Sequence, residues 1–142
     1  MDWLITDPIP QHLPDLRRIY QQGRRMAFPW ADPATFELLD FDQATQDERL
    51  LVATFQQIPM GFIAWWPPDN FIHSLFIDPL FVGKGVGKSL LHACLNEVGR
   101  PATLKCNLAN QNALAFYYSQ GWLPIQEVET TPDSYLLLAF NG

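Results

Sequence analysis

Val82-Gly83-Lys84-Gly85-Val86-Gly87-Lys88-Ser89 is the stretch on which the fold turns. It lies between a strand-like apolar run, Phe71–Ile77, and a helix-like run, Ser89–Val98. Three glycines at alternate positions remove every β-carbon from one side of the turn. Backbone N–H groups can then converge on an anion, and the following helix adds the positive end of its dipole. Lys84 and Lys88 add positive charge. The stretch reads as a phosphate cradle.

Two kinds of glycine loop look like this, and spacing separates them. A nucleotide-binding P-loop requires G-x-x-x-x-G-K-[ST], which would bind ATP with magnesium. Gly87, Lys88 and Ser89 match its end, but Val82 stands where its first glycine must be. A P-loop domain also needs several more β/α units to finish its parallel sheet. The segment after Ser89 holds only one clear helix. The other kind of loop cradles the pyrophosphate of coenzyme A.

Outward from the loop, the chain reads as strands and helices without repeat or linker. Trp3–Thr6 is a short first strand. Pro14 opens a helix to about Gln22, with Leu13, Leu16, Ile19 and Tyr20 on one stripe. Arg17, Arg18, Arg24 and Arg25 fall on its outer, solvated face. Asp32-Pro33 starts a short second helix to about Leu39, and residues 40–48 read as an acidic loop. Arg49–Phe55 and Met60–Trp66 form a hairpin through Gln56–Pro59. Phe71–Ile77 follows as a strand covered on both faces. A third helix spans about Gly85 to Val98, with Val86, Leu90, Leu91, Cys94, Leu95 and Val98 inward. Ala102–Leu108 is a strand, and Asn110 caps a fourth helix, Gln111–Gln120. Leu123–Glu129 and Ser134–Phe140 close the chain as a strand pair around Thr130–Asp133. The order β-α-α-β-β-β-α-β-α-β-β gives a mixed α/β domain, antiparallel in its front half, with one β-α-β crossover carrying the loop.

The 142 residues suffice for one domain, 1–142, with one core. The chain is 48% apolar and 17% charged, the balance of a globular protein. A net charge of −6 argues against a nucleic-acid partner, which needs a basic face. The N-terminal residues lack the basic-then-apolar order of a signal peptide, and no apolar run approaches a membrane span. Cys94 and Cys106 have no metal-ligand spacing, so no metal is expected. They read as free buried thiols of a cytoplasmic protein.

The run Leu75-Phe76-Ile77-Asp78-Pro79, then Gly83-Lys84-Gly85-Val86-Gly87, then Leu90-Leu91, resembles the acetyl-CoA signature of the GNAT superfamily of N-acetyltransferases. Asn110-x-x-Ala113-x-x-Phe116-Tyr117, closing with Gly121-Trp122, resembles that superfamily's second cofactor motif. The two span about residues 71 to 122, and the order of elements agrees over the whole chain. One departure is Val82, where the superfamily's loop usually begins with Gln or Arg.

The resemblance implies a three-layer fold: a splayed, mostly antiparallel mixed sheet of about seven strands with about four helices. It implies acetyl transfer from acetyl-CoA to a primary amine by direct attack in a ternary complex. Backbone groups of Phe76 and Ile77 then pair with the acetyl and pantetheine portion as another strand would, where the strand splays at a bulge. One backbone N–H there stabilises the oxyanion. The loop from Val82 through Gly83, Lys84, Gly85, Val86, Gly87 and Lys88 to Ser89 holds the pyrophosphate, and Asn110 contacts the cofactor arm. Tyr117 protonates the departing thiolate, or else is core packing. Many members carry a glutamate base on the strand before the loop, and Phe71–Ile77 has none. His73 is the titratable side chain there, either as the base or as a hydrogen-bonded strand histidine, and a water chain can replace a base. Asp78 reads as a turn residue, and His12 and His92 as surface residues on helices. Acceptor recognition falls to Phe28, Trp30, Phe36 and Glu37, with Met26, Glu127 and Glu129 around them. The acceptor is a small-molecule or peptide amine, and the chain a monomer or homodimer. A non-catalytic acyl-CoA sensor is the other reading, and Tyr117 speaks against it.

Overall fold

Strand residues that alternate or run apolar pair here into a seven-stranded sheet. The computed structural model describes residues 2–130 and 133–142. The strands are β1 (Leu4–Thr6), β2 (Arg49–Phe55), β3 (Ile58–Trp66), β4 (Phe71–Ile77), β5 (Ala102–Asn107), β6 (Leu123–Val128) and β7 (Tyr135–Phe140). Their order across the sheet is β1-β2-β3-β4-β5-β7-β6. Only β4 and β5 are parallel; the other neighbours are antiparallel. The closing turn expected around Thr130–Asp133 includes residues 131–132, which lie outside the described residues.

Four helices cover the sheet: α1 (Leu13–Ala27), α2 (Asp40–Ala44), α3 (Val86–Leu95) and α4 (Gln111–Ser119). Leu16 and Ile19 of α1 and Phe41 of α2 bury against Leu50, Val52, Phe62 and Ala64 on one face. Leu90, Leu91 and Cys94 of α3 and Leu114 of α4 bury on the other, against Leu51, Ile63, Ile72, Leu104 and Trp122. The alternation within β2 and β3 sends successive side chains to these two cores.

The second helix differs from expectation. Asp32 caps as its sequence suggests, accepting from Ala34 N at 3.0 Å, but only a 3₁₀ turn, Pro33–Thr35, follows. Phe36 then turns extended and buries its ring. Gln21 and Arg25 hold its carbonyl from α1. The helix resumes at Asp40, inside the acidic segment read as a loop. Those acids serve α1: Arg17 grips Asp42 through two bonds of 2.8 and 2.7 Å, and Arg24 reaches Asp40 at 3.2 Å. Arg17 and Arg24 are thus a clamp between the first two helices rather than part of a solvated face.

His12 departs from its expected surface role, whereas Asp78 is the turn residue expected, capping Pro79–Phe81. His12 is buried, and its Nδ1 accepts from Ile9 N. Asp78 is buried too, taking Leu80 N at 3.0 Å and Arg18 Nη2 at 2.8 Å. It ties the end of β4 to α1. Gly23 allows α1 to lie this close, because a β-carbon there would meet Phe76 Cδ1 at 2.2 Å.

Candidate active site

β4 and β5 run together for only two residue pairs, Phe71↔Thr103 and Ile72↔Leu104. Beyond them β4 stays with β3 as far as Ile77, and β5 stays with β7 as far as Asn107. The sheet therefore splits in its middle. The split begins at a bulge: Ile72 faces Trp65 and Ser74 faces Ala64, so His73 has no partner on β3.

The bulge decides which backbone groups look into the split. Asp78 N donates to Met60 O at 2.8 Å, which makes that opposed pair a hydrogen-bonded one. Pairs alternate along an antiparallel ladder. Phe76 and Ser74 therefore spend their N–H and C=O on β3, while those of Leu75 and Ile77 point into the split. Ahead of the bulge the parity is the other way, since Asn70 O accepts from Thr103 N. This corrects the expectation for Phe76. Its ring packs edge-on to Tyr20 on the α1 face, and its backbone faces β3. Leu75 takes its place beside Ile77. No sequence signal identifies Leu75, because the parity depends on a one-residue insertion relative to a distant strand.

At the open end of the split stands the glycine loop. Gly83 and Gly85 adopt φ of +77° and +92°, a region that L side chains rarely enter. Gly85 is the N-cap of α3 and supplies no side-chain cap. Ser89 N donates to Gly85 O at 3.1 Å, which removes Ser89's amide from the set of anion donors expected of it. The amides of Val86, Gly87 and Lys88 precede that first helical bond and have no partner in the helix. Val86 turns its side chain into the core and offers backbone alone. Val82 is exposed and extended, and Lys84 and Lys88 are exposed beside it. The loop fits a bound pyrophosphate: uncapped amides, a dipole end of ten residues and two lysines, with no acid in the first turn.

The second motif lies on the α3/α4 face. Asn110 caps α4 through Oδ1, accepting from Ala113 N at 3.3 Å, which leaves its amide nitrogen and one lone pair of Oδ1. Phe116 of α4 and Ile77 of β4 both approach Gly87, so the start of α3 meets α4 and the end of β4. Tyr117 packs edge-on to Trp122, with ring centroids 5.9 Å apart. Burial holds its hydroxyl above the ordinary tyrosine range, and the neighbouring Cys106 and Cys94 add to that. The hydroxyl is a proton carrier at neutral pH. Both cysteines are buried thiols, pushed up to about 12 for Cys94 and about 11 for Cys106 by burial.

His73 belongs to the opposite, α1/α2 side of the split. Its Nδ1 bonds Glu48 Oε2, and its ring packs edge-on to Phe71 at 5.0 Å. Glu48 was hidden from sequence reasoning within the acidic run before β2.

Of the expected acceptor residues, Phe28 stacks between Trp30 and Phe36. Trp30 Nε1 donates to Asp133 Oδ1 at 3.0 Å, tying the segment after α1 to the loop before β7. Phe36 departs from expectation: it is 7% exposed with the Arg24 guanidinium 4.5 Å over its ring, so it packs the loop instead of facing a ligand. Glu37 is exposed, while Glu127 and Glu129 belong to the outer edge, beyond β7. Two open grooves flank the site. One, about 390 Å³, separates Arg18, Gln22, Arg25 and Met26 of α1 from Asp78–Leu80. The other, about 340 Å³, lies over Tyr20, Arg24 and Asp40. Neither is the split itself. Among the described residues, no group of three or more His, Cys, Asp or Glu is arranged to hold a metal ion, and no helix is long and apolar enough to cross a membrane.

Comparison with known proteins gives one family. The model of the acetyltransferase (GNAT) family matches residues 13–122. No curated protein matches. Among solved structures, apo YjaB from Escherichia coli superposes with a TM-score of 0.78 at 24% identity, over 98% of this chain and 97% of that one. PaiA N-acetyltransferase from Thermoplasma acidophilum, in complex with coenzyme A, gives 0.79 at 15% identity over 99% and 100%. YncA from Salmonella typhimurium, a putative acetyltransferase with its cofactor acetyl-CoA, gives 0.73 at 14% identity over 99% and 94%. At these identities the likeness is one of fold.

Proposed function

Because the chain belongs to the GNAT acetyltransferase family, we propose that it transfers an acetyl group from acetyl-CoA to a primary amine, by direct attack within a ternary complex. The acceptor is a small molecule or a peptide end. The observation that carries this reading is the split itself: two strands part at a bulge, two backbone positions aim into the gap, and an uncapped helix end closes it.

Acetyl-CoA supplies the activated acyl group when bound. The amides of residues 83–88, with Lys84 and Lys88, hold its pyrophosphate. The backbone of Leu75 and Ile77 orients the arm as a neighbouring strand would, and an N–H there stabilises negative charge on the acyl oxygen. His73 takes one proton from the ammonium and passes it to solvent. The amine nitrogen bonds to the acyl carbon as the carbon–sulfur bond breaks. Tyr117 gives its hydroxyl proton to the departing sulfur, and the second N–H proton restores the tyrosine. Base and acid act from opposite faces of the sheet, so neither proton competes for the other's site.

Calorimetric titration tests the premise. Acetyl-CoA should bind and ATP with magnesium should not; failure to bind acetyl-CoA overturns the proposal. Tyr117→Phe should then lower turnover, read as thiol release over an amine panel, by roughly 10²-fold while leaving acetyl-CoA affinity unchanged. A non-catalytic acyl-CoA sensor predicts binding without turnover and indifference to that change.

A further inference from the structure

We infer that Glu48 is a positioning residue that fixes His73 in one tautomer, with a proton on Nδ1 and the proton-accepting lone pair on Nε2. The Glu48 side chain is 3% exposed and the His73 side chain 54% exposed. One ring nitrogen is thus turned inward to a carboxylate and the rest of the ring outward. An ionised carboxylate can only accept a hydrogen bond, so the nitrogen facing it must carry the hydrogen. A histidine whose second nitrogen is held this way is fixed in both tautomer and ring orientation.

Burying a carboxylate without full satisfaction is unfavourable. Among the described residues, Glu48 Oε1 has no hydrogen-bond partner. A merely structural acid at the start of β2 would be better replaced by an uncharged residue, or turned to solvent. Glu48 instead spends its other oxygen on the one histidine located where β4 leaves β5. The ring is walled by Phe71, over which Lys105 Nζ sits at 5.9 Å. Tyr20, on the α1 side, feels the charges of Arg24, Asp40 and Glu48, and the groove of about 340 Å³ opens over it. The chemical consequence rests on the acetyltransferase reading; the tautomer does not.

The test has two arms. In the first, two-bond ¹⁵N–¹H spectra of the imidazoles are recorded on the protein alone, which has only three histidines. His73 is expected as the single Nδ1–H tautomer, and Glu48→Gln is expected to abolish that exclusivity, since a carboxamide can donate as well as accept. An Nε2–H or mixed tautomer in the unmodified protein overturns the inference. In the second arm, acetyl-CoA and the primary-amine panel are followed by thiol release. Glu48→Gln and His73→Gln should each lower kcat by roughly 10²-fold with the KM for acetyl-CoA unchanged, and Glu48→Asp should recover part of the loss. The acid limb of the pH–rate profile should move in Glu48→Gln and vanish in His73→Gln. Glu48 bonds the ring, Lys105 sits over the adjoining Phe71 ring and Tyr20 feels the charge of Glu48, so a limb that shifts in Lys105→Gln or Tyr20→Phe instead counts against it. Full kcat in Glu48→Gln, with only the melting temperature changed, overturns the inference. If no amine is acetylated by the unmodified protein, the acetyltransferase reading fails and the first arm still decides the tautomer.

Discussion

Gly23 is a single residue on which the approach of α1 to the sheet depends. Alanine in its place gains about 0.5–1 kcal/mol of helix propensity. Its β-carbon would also lie 2.2 Å from the Phe76 ring, so the ring, α1 or β4 must move. Overpacking of this kind costs about 1–3 kcal/mol, which exceeds the gain. Gly23→Ala is therefore expected to lower the urea midpoint despite the better helix former. Strain passed along β4 should also weaken acetyl-CoA binding, because Leu75 and Ile77 flank Phe76. Gly85 is limited differently: a β-carbon there meets nothing nearer than Trp3 at 3.9 Å, but φ is +92°. Gly85→Ala should lose about 1–2 kcal/mol of stability through backbone strain. The same change should weaken acetyl-CoA in calorimetry by disturbing the uncapped amides. Both glycines lie in readable sequence, yet only the loop ones announce themselves. Gly23 gives no local sign, because its reason is a ring from a strand far along the chain.

At the level of elements, the order of strands and helices was legible because periodicity and caps are local properties. Asn110 and the glycine loop behave as helix starts, as their chemistry predicts, while Asp32 caps only a 3₁₀ turn. What was not legible depends on registration between segments. α2 forms within Asp40–Ala44 because Arg17 and Arg24 meet its acids from α1, and no reading of an acidic run by itself contains those arginines. The bulge at His73 is of the same kind: a His-Ser pair inside an apolar strand is its only trace. The exchange of Leu75 for Phe76 follows from it, as does the pairing of His73 with Glu48. The place of the glycine loop at the start of α3 and of Tyr117 on α4 was thus legible, and whatever a pairing register directs was hidden.

Among the described residues of the whole molecule, burial raises four groups that ionise in the alkaline range: Tyr20 and, by large shifts, the three groups Cys94, Cys106 and Tyr117. Their native pKa values lie above the ordinary 9.0 for cysteine and 10.0 for tyrosine. The unfolded chain therefore releases these protons first as pH rises. Stability linked to the three groups is intact below pH 9.0 and falls as pH climbs through about 11 and about 12. The melting temperature should be level to the lower limit and decline above it, and a Cys94→Ala, Cys106→Ala double variant should decline less steeply. If the two curves fall in parallel, burial of the thiols is not the cause.

The split sheet also leaves a row of unsatisfied amides in the interior of a folded domain, where an edge strand would normally be shielded or charged. Hydrogen exchange should read this residue by residue. The amides of Leu75 and Ile77 should exchange rapidly in the free protein, while those of Ser74 and Phe76, one position away, are protected. Acetyl-CoA should slow the first pair and leave the second unchanged. On the proposed function, acetyl-CoA would complete this ladder, so solubility on storage should depend on the presence of that small molecule, which would occupy an edge otherwise open to a second chain.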